Sequence, residues 1–272
     1  MKLLKGSSFQ HKMRNDGSMS DLALFFTLIF ILVTLVLSQW QKLGLEKDIV
    51  IGTIRAAIQL IAVGYVLHFI FAAKSWIFLA LMISIMIVVA TFNAAGKWRS
   101  LRGIHLRIGI ALAISEILTM GLIIGLGIIE PTAQYIIPIS GMIIGNSMMA
   151  SGLFLNRLKG EMDSKIEEIK IYLSLGATSK QAAREVKSTT VKASMIPSID
   201  AMKTVGLVQL PGMMTGMIIA GASPIAAVRY QLLIMYSLTS SAAVTAIILA
   251  ILSHSLLFNQ SHQLIGINRL KQ

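Results

Sequence analysis

Charged and amide side chains interrupt several long apolar stretches of this chain, and they are the first candidates for chemistry. Glu116 lies deep in one stretch without a basic neighbour at helical spacing, so its carboxyl must be protonated, paired with another helix or exposed to water. Arg55 is a plausible partner from depth alone, and Gln59 follows it by one helical turn. Glu116 could therefore form a structural pair, attract a cation in a transport path, or carry protons.

A second group of candidates lies in "GLVQLPGMMTGMIIAGASP", residues 206–224. Gln209, Met213 and Met217 recur at helical spacing, and a stripe of thioethers could line a path for a soft ion such as Cu(I). Methionine more often fills gaps in packing, and the chain has 16 methionines. Because the chain has no cysteine and no histidine near this stripe, the residues alone identify no metal. The predicted substrate path comprises Arg55, Gln59, Glu116, Asn146, Gln209, Met213 and Met217.

Small residues at four-residue spacing indicate where helices can approach closely. The predicted packing positions are Gly141, Gly145, Pro211, Gly212 and Gly216. Asn146 lies beside the first of these stripes, and its amide either bridges two helices or contributes to the path. Pro211 removes a backbone donor and frees the carbonyl of Leu207 near mid-bilayer, where free backbone groups are tolerated only inside protein or beside water.

The elements that must hold these residues are membrane-spanning helices. The chain has 272 residues, of which 55% are hydrophobic and 13% charged, and this composition excludes an ordinary soluble domain. About 20 apolar residues cross a bilayer as a helix, and the sequence supplies seven such runs, which predicts an all-α polytopic membrane protein. The predicted spans are residues 21–40, 49–71, 75–95, 107–129, 133–156, 198–221 and 230–258.

The basic residues predict the orientation of the spans. Lys and Arg concentrate in residues 96–107 and 157–192, which places both segments and the C-terminal tail, residues 259–272, in the cytoplasm. The basic N-terminal tail, residues 1–20, argues against the outside location that seven spans require. Membrane orientation explains the net charge of +12 better than nucleic-acid binding, because no soluble domain presents a basic surface. We expect one transmembrane domain, residues 21–258, in the plasma membrane (the bacterial inner membrane).

Residues 157–197 form the one extended polar segment and predict a pair of cytoplasmic helices between spans five and six. Apolar residues at helical spacing and the pairs Glu161/Lys165 and Glu167/Lys170 indicate an amphipathic helix. Gly176 ends this helix, and a capping box of Thr178 and Gln181 begins a second helix that Pro197 closes. On shape alone, this is an ordinary interfacial helix pair or a docking element for a soluble protein.

The chain resembles a known family over residues 45–264. The stretches that carry the likeness are "LEKDIVIGTIRAAIQLIAVGYVL", "FNAAGKW", "IPISGMIIGNSMMASGL", "LSLGATSKQAA" and "SIDAMKTVGLVQLPGMMTGMIIAGASPIAAVRYQ". Together these stretches resemble the bacterial iron-export ABC permeases (FetB), whose relatives include the plant aluminium-sensitivity membrane subunits.

The resemblance implies a permease, not an enzyme, that moves metal ions outward while a separate cytoplasmic ATPase subunit consumes ATP. It assigns coupling to the ATPase to Leu175, Gly176, Ala177 and Thr178, and it implies two permease subunits and no cofactor on this chain. The residues agree, because the chain has no G-x-x-x-x-G-K-[ST] loop to hold phosphates. Two other functions stay open: a secondary transporter in which Glu116 carries protons, and a scaffold that recruits a soluble partner through residues 157–192.

Overall fold

The computed structural model describes residues 26–73, 75–98, 101 and 103–258. The described residues form helices joined by turns and contain no β-sheet, only one isolated bridge between Val205 and Gln209. The chain divides into two units, residues 1–72 and 73–272. The predictions for the tails, residues 1–20 and 259–272, concern segments outside the described residues.

The first unit contains helices α1, Leu28–Trp40, and α2, Glu46–Ala73. The two helices meet through the hydroxyl of Ser38, which donates to the carboxylate of Glu46 at 2.7 Å. α2 has 28 residues and a length of about 42 Å, enough to cross a bilayer, whereas α1 has 13 residues. Span two of the sequence prediction therefore lies within α2.

The second unit is built around α5, Ala133–Ser164, against which α3, Trp76–Ala94, α4, Ile104–Gly125, and α10, Pro224–Leu252, all pack. A short 3₁₀ turn, Gly96–Trp98, follows α3. Each of these helices is apolar on nearly every side, as expected for segments that contact lipid on one face and protein on the other. Their shared core includes the fully buried Ile108, Leu112, Phe154, Leu155 and Leu249.

α2, α3, α4, α5 and α10 are the five described helices long and apolar enough to cross a membrane. α5 has 32 residues and is about 48 Å long, so it extends well beyond a hydrocarbon core of about 30 Å. Residues 157–164, which the sequence prediction assigned to the polar segment, therefore form the last turns of this spanning helix.

The rest of the polar segment contains α6, Ile166–Ser174, α7, Ser179–Ala182, and α8, Arg184–Thr204. The prediction that Pro197 closes a helix is wrong, because α8 continues through it to Thr204. α8 packs along both α5 and α10, and this packing offsets the lost hydrogen bond at proline. The predicted pair Glu161/Lys165 is also wrong: α5 ends at Ser164, Arg157 holds Glu161 at 2.7 Å, and Lys165 pairs with Glu185.

The prediction of one continuous sixth span, residues 198–221, is wrong. α8 ends at Thr204, residues 205–211 are not helical, and the short α9, Gly212–Ile219, follows. Gly206 takes φ +85°, which a non-glycine residue rarely adopts, and Pro211 caps α9 with an extended backbone. We call residues 205–211 the break. The last predicted span, residues 230–258, corresponds to α10, which starts earlier than expected, at Pro224, and to the short helix α11, His254–Leu257. The count of seven spans stays a prediction.

Candidate functional site

Residues 171–181 form a tight corner between α6 and α7, which we call the coupling corner. The N–H of Gly176 donates to the carbonyl of Leu173 at 3.1 Å, and the N–H of Ala177 donates to the carbonyl of Tyr172 at 3.0 Å. This Schellman pattern requires the left-handed conformation that Gly176 adopts, with φ +87°. The carbonyls at the end of α6 are therefore satisfied within the corner itself.

The other side of the corner is closed by the predicted capping box. The N–H of Thr178 donates to Oε1 of Gln181 at 2.9 Å, and the N–H of Gln181 donates to Oγ1 of Thr178 at 3.3 Å. The two motifs adjoin without an intervening loop, so the backbone from Tyr172 to Gln181 is fixed by local hydrogen bonds.

The coupling corner presents apolar side chains outward. Leu175, at its tip, is 78% exposed, and Ile171 and Tyr172 are also exposed, whereas Ile169 on the opposite face is fully buried. A cleft of about 500 Å³ lies behind the tip, between α6 and α8, and is lined in part by Lys165, Glu168, Tyr172, Gln181, Arg184 and Glu185. An exposed apolar tip beside a charged cleft is typical of a surface that binds another protein.

Polar contacts attach the corner to the longer helices. Lys165 pairs with Glu185 at the start of α8, and this hydrogen bond raises the pKa of Lys165. The His254 ring lies 3.3 Å from the hydroxyl of Ser179 and 3.3 Å from Nζ of Lys187. Because α11 directly follows α10, these contacts connect the corner to both α8 and α10.

A row of buried polar side chains runs where α4, α5 and α10 pack together, and we call it the polar seam. Its members are Ser115, Glu116, Thr119, Ser140, Ser147, Ser151, Ser237, Ser241 and Thr245. The hydroxyl of Ser115 donates to the carbonyl of Ser241 at 3.0 Å and ties α4 to α10. Glu116 is 4% exposed and lies beside the hydroxyl of Ser140, but within the described residues of its unit neither of its carboxyl oxygens makes a hydrogen bond of standard geometry.

The predicted path residues are distributed over both units. Arg55 and Gln59 are exposed on α2 of the first unit, and their grouping with Glu116 stays a prediction. The amide of Asn146 donates to the carbonyl of Leu238 at 2.7 Å, so it bridges α5 and α10. Gln209 is exposed in the break, and Met213 and Met217 are half-buried on α9. Within the described residues, no group of three His, Cys, Asp or Glu side chains could hold a metal ion.

The predicted packing glycines differ in their surroundings. A Cβ at Gly141 would lie 3.0 Å from Cε of Met86, so α3 and α5 approach closely there. At Gly145, Gly212 and Gly216 an added Cβ would meet nothing within 4 Å.

Reasoning from the sequence missed the polar seam and the role of His254. Ser237, Ser241 and Thr245 recur every four residues in an apolar run, a signal that could have identified one face of the seam. Ser140 and Ser147 are seven residues apart on α5 and carry the same signal. His254 offered no local signal, because its contacts come from residues 67 and 75 positions earlier in the chain.

Long apolar helices around a buried polar seam, with a hydrogen-bonded corner between the short helices α6 and α7, define a polytopic α-helical membrane protein. The chain belongs to the Uncharacterised protein family UPF0014, whose model matches residues 21–258.

Several curated proteins are similar over nearly the whole chain. It is 50% identical over 246 residues to the UPF0014 membrane protein YjkA of Bacillus subtilis, covering 90% of this chain and 98% of YjkA. It is 38% identical over 258 residues to the Probable iron export permease protein FetB of Escherichia coli, covering 95% and 99%. It is 34% identical over 240 residues to Protein ALUMINUM SENSITIVE 3 of Arabidopsis thaliana, covering 87% of each. These matches confirm the family resemblance, and no solved structure is significantly similar.

Proposed function

We propose that this chain is the membrane-spanning permease subunit of an ABC transporter that exports metal ions, with iron as the expected substrate. The observation that carries the proposal is the coupling corner: a rigid turn with an exposed leucine at its tip, attached to α8 and α10. The name of the Escherichia coli relative, an iron export permease, supports the direction and the substrate. The chain contributes no phosphate-binding loop, so a cytoplasmic ATPase subunit supplies the energy.

In this mechanism the corner enters a groove of the ATPase and moves when ATP closes the ATPase subunits. Leu175 fills an apolar pocket there, since a side chain 78% exposed gains most by burial in a partner. Two permease subunits in the bacterial inner membrane, each with its corner on the cytoplasmic side, alternate between inward and outward access. The push on the corner reaches the spans through His254 and through α8.

The test is co-reconstitution of the chain with a candidate ABC ATPase subunit from the same organism. We expect Fe²⁺ to stimulate ATP hydrolysis. In proteoliposomes we also expect ATP to drive Fe²⁺ away from the side of the membrane on which the ATPase subunit is bound. Leu175→Asp removes the apolar tip and should lower co-purification of the ATPase and Fe²⁺ stimulation at least ten-fold. Leu175→Met, the matched control, keeps an apolar side chain and should retain both. Equal ATPase binding by Leu175→Asp would overturn the role of the corner.

A second candidate function, proton-coupled secondary transport, is favoured by Glu116 alone. A buried carboxyl that makes no hydrogen bond of standard geometry among the described residues of its unit can take up and release a proton within the membrane. Metal flux driven by a pH gradient in vesicles that contain this chain and no ATPase would establish that function. Flux that requires both the ATPase and ATP would exclude it.

A further inference from the structure

The break, residues 205–211, has backbone oxygens with no internal partner. Among the described residues, no hydrogen bond reaches the carbonyls of Val205, Gly206, Leu207, Val208 and Leu210. The few backbone hydrogen bonds of this segment have the carbonyls of Ala201, Thr204, Gln209 and Pro211 as acceptors instead. Leu207 and Val208, which lie within this segment, are 91% and 85% exposed.

Contacts of the neighbouring helices place the break within the thickness of the membrane. The hydroxyl of Thr239 donates to Sδ of Met202 at 3.9 Å, and Thr239 lies fifteen residues after Pro224, about 22 Å along α10. The end of α8 is therefore level with the middle of α10. Since α9 packs along α10 and Pro224 follows it closely in the chain, the break lies between the middle and the start of α10.

Unpaired carbonyls at this depth cannot face lipid, because each would cost several kcal/mol in hydrocarbon. Broken helices in transporters expose unwound carbonyls and the negative ends of half-helices to cations near the bilayer midplane. Here the C-terminal end of α8 supplies that negative end. The nearby charge of Lys203 is offset by Asp200, which it contacts at 3.1 Å.

We propose that the break is the cation-binding element of the transport path and that its ligands are the free carbonyl oxygens of residues 205–208 and 210, with Oε1 of Gln209. Oxygen ligands select hard or borderline divalent cations such as Mn²⁺ and Fe²⁺ over Cu(I) or Ag⁺. Met213 and Met217 then fill space beside the site. This inference rests on the proposed export of metal ions and deepens it.

The first test restores the helix. In Gly206→Ala/Pro211→Ala the alanine disfavours the left-handed turn, and residue 211 regains an N–H that can donate to the carbonyl of Leu207. Mn²⁺ binding to the purified full-length chain in detergent, without ATPase, is followed by loss of the electron paramagnetic resonance signal of free Mn²⁺. We expect the double variant to bind Mn²⁺ at least ten-fold more weakly than the unmodified chain.

Two controls make this result specific. Pro197→Ala removes another proline from α8, where the helix is already continuous, and should leave Mn²⁺ affinity within two-fold. Met213→Leu/Met217→Leu removes the thioethers and should do the same. No Mn²⁺ binding by the unmodified chain, equal affinity in the restored-helix variant, or binding lost only with the methionines would each overturn the proposal. Because no ATPase is present, these outcomes are separate from failure of the ABC mechanism.

The second test does not depend on folding of the double variant. The chain has no cysteine, so Leu207→Cys provides one reporter in the break. A water-soluble methanethiosulfonate reagent should modify it in membranes, and Mn²⁺ should slow the reaction at least five-fold. Leu122→Cys is the control, because Leu122 is 62% exposed on the apolar helix α4, where we expect lipid contact and therefore no reaction. An unreactive Leu207→Cys, or one that forms cross-linked dimers without protection by Mn²⁺, would show that the break is a packing contact and overturn the proposal.

Discussion

Glu116 is the residue at which stability and function are expected to conflict. Its carboxyl is buried among packed helices beside the hydroxyl of Ser140, and neither oxygen makes a hydrogen bond of standard geometry within the described residues of its unit, whereas Ser115 next to it bridges to α10. A buried polar group left without a partner lowers stability, and such groups persist mainly where a protein uses them. A substitution at Glu116 can therefore show whether its carboxyl has a functional role or forms a structural pair with Arg55.

Glu116→Leu tests this distinction. Removal of an unpartnered carboxyl should raise the free energy of unfolding by about 1–3 kcal/mol and lower metal transport at least ten-fold. Thermal denaturation in detergent and proteoliposome flux measure the two effects. Ser115→Ala, which deletes a satisfied hydrogen bond, should instead lower stability by about 1 kcal/mol. A strongly destabilised Glu116→Leu would indicate that the carboxyl is paired with a group such as Arg55.

Lys187 gives a pH-dependent prediction at the same scale. Burial, with a smaller contribution from Lys180, lowers the pKa of Lys187 below its usual 10.5, so the folded chain releases this proton more readily than the unfolded chain. Stability should therefore rise with pH between the folded pKa and 10.5. Lys187→Met should be more thermostable than the unmodified chain at pH 7, with a smaller difference at pH 9.5. The exposed Lys192→Met should show no such trend.

At the scale of elements, two glycines decide how helices end. Gly176 closes α6 in the coupling corner, and Gly206 lies in the break just after α8, both with positive φ. An added Cβ at Gly176 would meet nothing within 4 Å, so any effect of substitution there comes from backbone conformation and not from a clash. Residues that avoid the left-handed conformation should therefore destabilise the coupling corner when they replace Gly176, whereas asparagine should be tolerated.

Gly176→Ala and Gly176→Asn separate backbone conformation from bulk. Alanine should destabilise the corner by about 1–2 kcal/mol, whereas asparagine adopts the left-handed conformation at lower cost. We expect Fe²⁺-stimulated ATP hydrolysis in the co-reconstituted complex to fall several-fold for alanine and to stay near that of the unmodified chain for asparagine. Insertion and yield should be the same in both variants. Indistinguishable coupling by the two would show that the turn does not transmit force.

At the scale of the whole molecule, the lengths of the helices and the placement of basic residues predict which ends share a side of the membrane. α4 and α5 are joined by residues 126–132, poor in basic residues, whereas the opposite end of α5 leads into the coupling corner. The two ends of α5 are about 48 Å apart, so we expect them to lie on opposite surfaces of a bilayer.

Single cysteines test this arrangement, because the chain has none of its own. Ile128→Cys, beyond the end of α4, should react with an impermeant thiol reagent added outside intact cells. Leu175→Cys should react only after the membrane is opened. Labelling of both positions from outside, or of neither, would contradict the predicted topology.

The sequence determined the membrane class, most of the long helices, the Gly176 turn and the capping box, because these follow from apolar length and from contacts within four residues. The pairs Glu167/Lys170 and Asp200/Lys203 were predictable for the same reason and are present. Only the tertiary structure placed α8 along α5 and α10, which carried that helix through Pro197, and brought His254 to the coupling corner. The structure also showed that the helix is interrupted at Gly206 and Pro211, within the predicted sixth span. Glycine and proline disfavour a helix locally, but packing against distant parts of the chain decides whether the helix breaks at a given position.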